Sequence, residues 1–222
     1  MSTTTSYRLS GIALLVGSAL SVVYYLIQGA FLNGNDLATI ISPMTMVSSV
    51  IGFIGAILVL LGLPGVYARQ AGRAGILGLL GFLFVWYVNL YQGAIIPFSS
   101  VTIISQMTAH IVPQSAAIAM TPPPAWTPFY LVSLVGQVLG ILLLGIATLR
   151  ARVFPRWIGW LLIATLVVGL VSQLPFLPEA VSNLAAILGS VAIAGFGYEL
   201  LRPVRMESAQ PAPTHMEAAT RA

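Results

Sequence analysis

The sequence predicts an all-α membrane bundle of six transmembrane helices with both chain ends in the cytoplasm, and three observations carry that prediction. Of 222 residues, 58% are hydrophobic and 6% are charged, against about a quarter charged in an ordinary soluble domain. Six apolar stretches each approach the roughly 20 residues that a helix needs to cross a hydrocarbon core. Every arginine falls at the chain ends or in alternate connections between those stretches, all on one side.

Taken in order, residues 1 to 8 form a short cytoplasmic N-terminus, and the first span runs from 9 to 31. That stretch is long, follows a single Arg8 and lacks a small-residue cleavage site after it, so it reads as a retained helix rather than a signal peptide. The second and third spans run from 46 to 68 and from 75 to 97, joined by a tight turn bearing Arg69 and Arg73. Pro64 lies inside the second span and bends its last turns. Residues 98 to 127 form the longest connection. In it, Ile103, Ile104, Met107 and Ile111 recur at spacings of three and four, which suit a helix on the membrane surface or across the bundle. Pro113 ends or kinks that helix, and the segment from Pro122 to Trp126 is stiff and extended, with Trp126 and Tyr130 as interfacial anchors. The fourth span, 128 to 149, leads through Arg150, Arg152 and Arg156 to a fifth at 157 to 175. A sixth, at 181 to 201, ends at Arg202. The transmembrane domain is thus 9 to 203. The tail 204 to 222, rich in Ala, Pro, Glu, Thr and Ser, reads as disordered and cytoplasmic.

The topology follows from charge. There is no lysine, and the arginines are Arg8, Arg69, Arg73, Arg150, Arg152, Arg156, Arg202, Arg205 and Arg221. The opposite connections carry Asp36, His110 and Glu179 but no arginine. The positive-inside rule makes the arginine side cytoplasmic, with Arg69, Arg73, Arg150, Arg152, Arg156, Arg202 and Arg205 as topology anchors. The net charge of +4 is then explained by the lipid bilayer as partner, and no nucleic acid is expected. The two cytoplasmic hairpins also resemble each other. Leu61-Gly62 followed by Arg69 to Arg73 aligns with Leu144-Gly145 followed by Arg152 to Arg156, which is either a parallel duplication or the common need of tight hairpins for arginine anchors.

Catalytic machinery is not apparent. With no cysteine in the chain, thiol nucleophiles, iron–sulfur clusters and Cys-ligated zinc are excluded. The first 200 residues hold one histidine, His110, without sequence neighbours that would complete a metal site. Glu199, the one carboxylate in a span, stands three residues before Arg202, where an ion pair at the headgroup level accounts for it. No P-loop or dinucleotide fingerprint occurs. The expectation is a non-enzymatic protein without metal or cofactor.

Three small-x-x-x-small patterns, Gly136 to Gly140, Ser48 to Gly52 and Ala185 to Gly189, allow helices to approach closely. They pack helices within the bundle, or they join the chain to a membrane-protein partner or a second copy of itself. Neutral polar residues gather in the outer parts of the spans. Tyr24, Tyr25 and Gln28 lie in the first, Asn89, Tyr91 and Gln92 in the third, Ser133 and Gln137 in the fourth, Ser172 and Gln173 in the fifth, and Ser182 and Asn183 in the sixth. Amides in hydrocarbon seek partners on neighbouring helices or water. They form either an interhelical hydrogen-bond cluster or a shallow outward-facing cavity for a small neutral or lipid-like molecule, with Tyr25, Gln28, Asn89, Gln92, Gln137 and Gln173 as ligand-binding candidates. The alternative function is an accessory or scaffold subunit of a membrane complex.

The Leu61-Gly62-Leu63-Pro64-Gly65-Val66-Tyr67-Ala68-Arg69 turn and the Arg152-Val153-Phe154-Pro155-Arg156-Trp157-Ile158-Gly159-Trp160 segment, set in a compact six-span layout, resemble the small bacterial multi-pass proteins grouped as domains of unknown function. The likeness covers most of residues 8 to 203. It implies a bacterial inner (plasma) membrane and supplies no catalytic residue.

Overall fold

The computed structural model describes residues 3–32, 37–111, 113, 124–174, 176–177 and 180–202. In chain order these form α1 (Thr3–Phe31), a single turn α2 (Leu37–Ile40), α3 (Pro43–Val88), a π-helical segment (Asn89–Ile95), α4 (Ile96–Thr108), a 3-10 turn (Pro124–Trp126), α5 (Thr127–Ala151), α6 (Arg156–Val171) and α7 (Ala180–Leu201). No strand occurs among the described residues. Four helical stretches are long and apolar enough to cross a membrane: Thr5–Phe31, Pro43–Thr108, Thr127–Ala151 and Val181–Leu201. Arg156–Val171 is apolar but shorter.

Local chemistry sets the ends. Ser42 caps α3 by accepting from the Thr45 backbone N–H at 3.2 Å, with Pro43 in the first turn where its missing N–H costs nothing. The stretch Pro43–Thr108 spans 66 residues, yet it is not one rod. Gly75 has φ 57° and ψ −157°, a backbone region essentially reserved for glycine, and there the chain folds back. The rings of Tyr67 and Phe82 stack at 5.2 Å, and those of Phe53 and Phe98 lie 5.7 Å apart. A straight helix would separate the latter pair by roughly 68 Å at 1.5 Å per residue. The stretch is therefore two antiparallel arms, 43–74 and 76–108.

This corrects three expected boundaries. The turn expected between 69 and 74 is helical through Ala74, and Gly75 makes the reversal, because only a residue without Cβ adopts its backbone angles. The second arm does not stop at 97. It continues through Pro97 to Thr108, with Ile104 and Met107 buried, so the first part of the expected 98 to 127 connection extends a helix. That helix ends at Thr108, before Pro113, and His110 just beyond it has φ 57°. Residues 112 and 114–123 lie outside the described set, as do Asp36, Glu179, Arg205 and the tail from 203. Finally, α6 ends at Val171 rather than at 175.

The helices close a ring. The first arm packs on α1, where a Cβ on Gly62 would stand 2.5 Å from Leu14 Cγ and one on Gly55 3.0 Å from the Gly17 carbonyl. The second arm packs on α5 at Gly81, Gly136 and Gly140. Next, α5 meets α6 at Gly145 and Gly159, α6 meets α7 at Thr165 and Gly189, and α7 returns to α1 at Gly197 and Gly11. Each small residue removes a side chain where two backbones need to approach. One end of the ring is sealed by a buried cluster that includes Leu14, Leu63, Leu144, Ile158, Phe196 and Leu200, with Phe154 and Phe196 edge to face at 4.9 Å.

Arg69 and Arg202 converge on Glu199 at that sealed end. Arg69 donates to the Glu199 carbonyl and lies 5.6 Å over the Phe154 ring. Arg202 pairs with Glu199 at 3.2 Å and donates to Tyr198 Oη at 3.1 Å. The Tyr198 hydrogen bond first, and the Glu199 carboxylate second, hold the Arg202 guanidinium above its ordinary pKa. Arg8, Arg73, Arg150, Arg152 and Arg156 are exposed. The two arginine-bearing turns differ in construction, since Arg69 is within a helix whereas Arg152 occupies a left-handed cap with φ 52°.

Candidate functional site

Within the ring lies a cavity of about 350 Å³ to which every arm contributes. From α1 come Ser18, Ser21, Tyr24 and Tyr25. Ser18, Ser21 and Tyr25 recur at spacings of three and four, so one helical face carries them inward. Asn89, Gln92 and Gly93 lie in the π-helical segment. Such segments widen a turn by one residue and recur at functional sites. Here the wide turn carries both amides to the cavity.

The amides are partly satisfied. Gln92 Nε2 donates to Ser133 Oγ at 2.9 Å and to Gln137 Oε1 at 3.4 Å, both on α5. Asn89 Nδ2 donates to the Val85 carbonyl at 2.9 Å, and Gln173 Nε2 reaches the Gly169 carbonyl at 3.5 Å. Deeper in, Ser21, Thr165 and Ser190 donate to the carbonyls of Gly17, Leu161 and Ala186 at 3.0, 2.9 and 2.9 Å. A hydroxyl that donates keeps its acceptor lone pairs. Ser18 is 1% exposed and its Oγ has no hydrogen-bond partner among the described residues. The wall therefore offers uncharged donors and acceptors above an apolar floor of Val59, Val85, Ile141, Leu162 and Ile193. Among the described residues, no Asp, Glu, Lys, Arg or His lines it.

Of the residues singled out from sequence, Tyr25, Asn89, Gln92, Gln137 and Gln173 line this one cavity. Gln28 does not. Its side chain hydrogen-bonds Tyr24, so it touches the wall only through that ring. Tyr91 is buried elsewhere, stacked on Tyr87 and near Trp126 at 6.3 Å each. Sequence reasoning missed Ser18, Ser21, Thr165 and Ser190 because hydroxyls are common in apolar helices. The three-and-four spacing along α1 was the available signal.

The glycine motifs face inward. A Cβ on Gly140 would stand 2.8 Å from Phe84 Cβ and 3.0 Å from the Val85 backbone nitrogen, and one on Gly136 3.3 Å from Phe84 Cδ1. Gly52 meets Tyr24, and Gly189 meets Thr165. These surfaces are covered by the chain's own helices. No group of three His, Cys, Asp or Glu side chains able to hold a metal occurs among the described residues.

No protein-family model matches the chain, and neither a curated protein nor a solved structure matches it.

Proposed function

We propose that this is a six-span inner-membrane protein, N-in and C-in, that binds or transports a small neutral or lipid-like molecule in the intrabundle cavity, without enzymatic chemistry. The six crossings are α1, the two arms that meet at Gly75, α5, α6 and α7. The arginine end faces the cytoplasm by the positive-inside rule, so the cavity opens outward and the apolar cluster beneath it is the cytoplasmic seal. The supporting observation is the convergence of amides from the second arm, α5 and the residues just after α6 on one uncharged cavity, within the size range of small-molecule sites.

The test is a structure in lipid nanodiscs. Non-protein density enclosed by Asn89, Gln92, Gln137 and Gln173 is the expected result. A collapsed, dry interior with those amides paired only to each other refutes the reading.

A further inference from the structure

The cavity wall is uneven along the seam between α5 and α6. At the arginine end the two helices touch backbone to backbone. A Cβ on Gly145 would lie 3.3 Å from the Gly159 carbonyl, and one on Gly159 3.1 Å from the Gly145 carbonyl. Farther along they turn to different neighbours. Gly140 and Gly136 of α5 press on Phe84 of the second arm, while Gly169 of α6 meets only Ala185 of α7, at 3.8 Å. Length adds to the divergence. With 16 residues, α6 extends about 24 Å, short of a hydrocarbon core about 30 Å thick. The 25 residues of α5 extend about 37 Å.

Among the described residues, four that line the cavity are exposed: Ser182, in the first turn of α7, and three that flank the α5–α6 seam. Leu134 of α5 and Leu170 of α6 line the cavity and are nevertheless 44% and 51% exposed, and Gln173, just beyond α6, is also both lining and exposed. Counted from the 152–155 turn, these positions stand at similar heights on the two helices. A side chain that belongs to a cavity wall and is also open marks its mouth.

From this geometry we infer a lateral portal between α5 and α6, framed by Leu134 and Leu170, through which an uncharged single-chain amphiphile loads from the outer leaflet. The inference rests on the cavity-binding reading above and names its ligand class. An aqueous solute would not need a mouth framed by leucines at the depth of acyl chains. A charged head would lose its hydration with no counter-charge in the wall to offset the loss. A hydroxyl or amide head instead finds Gln137 as a donor and the Asn89, Ser21 and Thr165 oxygens as acceptors, while its chain trails past Leu170 into lipid. The volume of about 350 Å³ accommodates a head and the first part of a chain, with the remainder outside.

The experiment uses the full chain in nanodiscs with a monoacylglycerol carrying a mid-chain diazirine. Irradiation followed by peptide mapping is expected to place saturable adducts on 131–138 and 166–173. Unlabelled monoacylglycerol should compete at least tenfold better than its phosphorylated, charged counterpart. Blocking the mouth with Leu134→Trp and Leu170→Trp should lower labelling at least fivefold. Since the chain has no cysteine, Leu170→Cys alkylated after folding with a bulky maleimide provides the same block should the tryptophans impair folding. Labelling within the cavity that ignores both blocks overturns the portal. Equal competition by the charged analogue, or adducts spread over all lipid-facing helices, overturns the ligand class. The nanodisc density judges the cavity-binding reading separately, so a filled cavity with failed photolabelling leaves that reading standing.

Discussion

Gly75 and Gly72 offer a paired test of what makes the second and third crossings. They stand three residues apart, both are exposed, and a Cβ on either would meet nothing within 4 Å. Sterics against the rest of the protein are therefore equal, and only backbone conformation distinguishes them. Gly72 is helical, so Gly72→Ala should stabilise by about 1 kcal/mol through helix propensity. Gly75 has φ 57° and ψ −157°, so Gly75→Ala should destabilise by about 1–3 kcal/mol. The two variants should differ by about 3 kcal/mol, roughly a hundredfold in the folding equilibrium. Unfolding by sodium dodecyl sulfate in mixed micelles, followed through tryptophan fluorescence, measures both. Equal effects of the same sign would refute Gly75 as the reversal point and imply one continuous helix or a turn placed elsewhere.

Gly140→Leu should abolish the folded protein rather than dissociate an assembly, since its first side-chain carbon already conflicts with Phe84 and the Val85 backbone and overpacking costs about 1–3 kcal/mol even for small insertions; a well-folded variant that loses only a partner, seen by size exclusion, would contradict this. Gln92→Leu removes the donor shared by Ser133 and Gln137 and should cost about 1 kcal/mol, within the range of transmembrane hydrogen bonds. A double-mutant cycle with Gln137→Leu that is strictly additive would show the pair to be uncoupled. Gln70 is 1% exposed, and neither side-chain polar atom has a partner among the described residues. Gln70→Met should therefore raise the melting temperature by removing an unsatisfied buried amide, a defect of about 1–3 kcal/mol, and a lowered melting temperature would count against that.

How much of this was legible in the sequence differs by element. The first, fourth and sixth apolar stretches fall inside α1, α5 and α7, because runs of this length and hydropathy leave a chain few choices once the backbone must satisfy itself. The Glu199–Arg202 pair was equally readable, since a spacing of three fixes neighbours on a helix. The extent of α4 was not. Ile104 and Met107 have a periodicity that suits a surface helix, and their burial against the bundle depends on where the preceding arm points. The R-x-x-x-R spacing likewise suggested a turn, but Arg69 and Arg73 sit in a helix because the reversal needs positive φ and the nearby glycine supplies it.

By itself the sequence determined the helical class, the apolar surface and the collection of arginines at alternate connections, all of which depend on composition and on order along the chain. Only the tertiary structure decided that five of the six proposed site residues share one cavity while Gln28 stops at Tyr24, and that the cavity has a seam between α5 and α6. The physical reason is that inward direction is set jointly by the π-helical turn at Asn89–Ile95 and by which glycine face each helix offers its neighbour. Neither is a property of one segment. Both follow from how closely pairs of backbones pack, and that is settled only when all the helices close the ring.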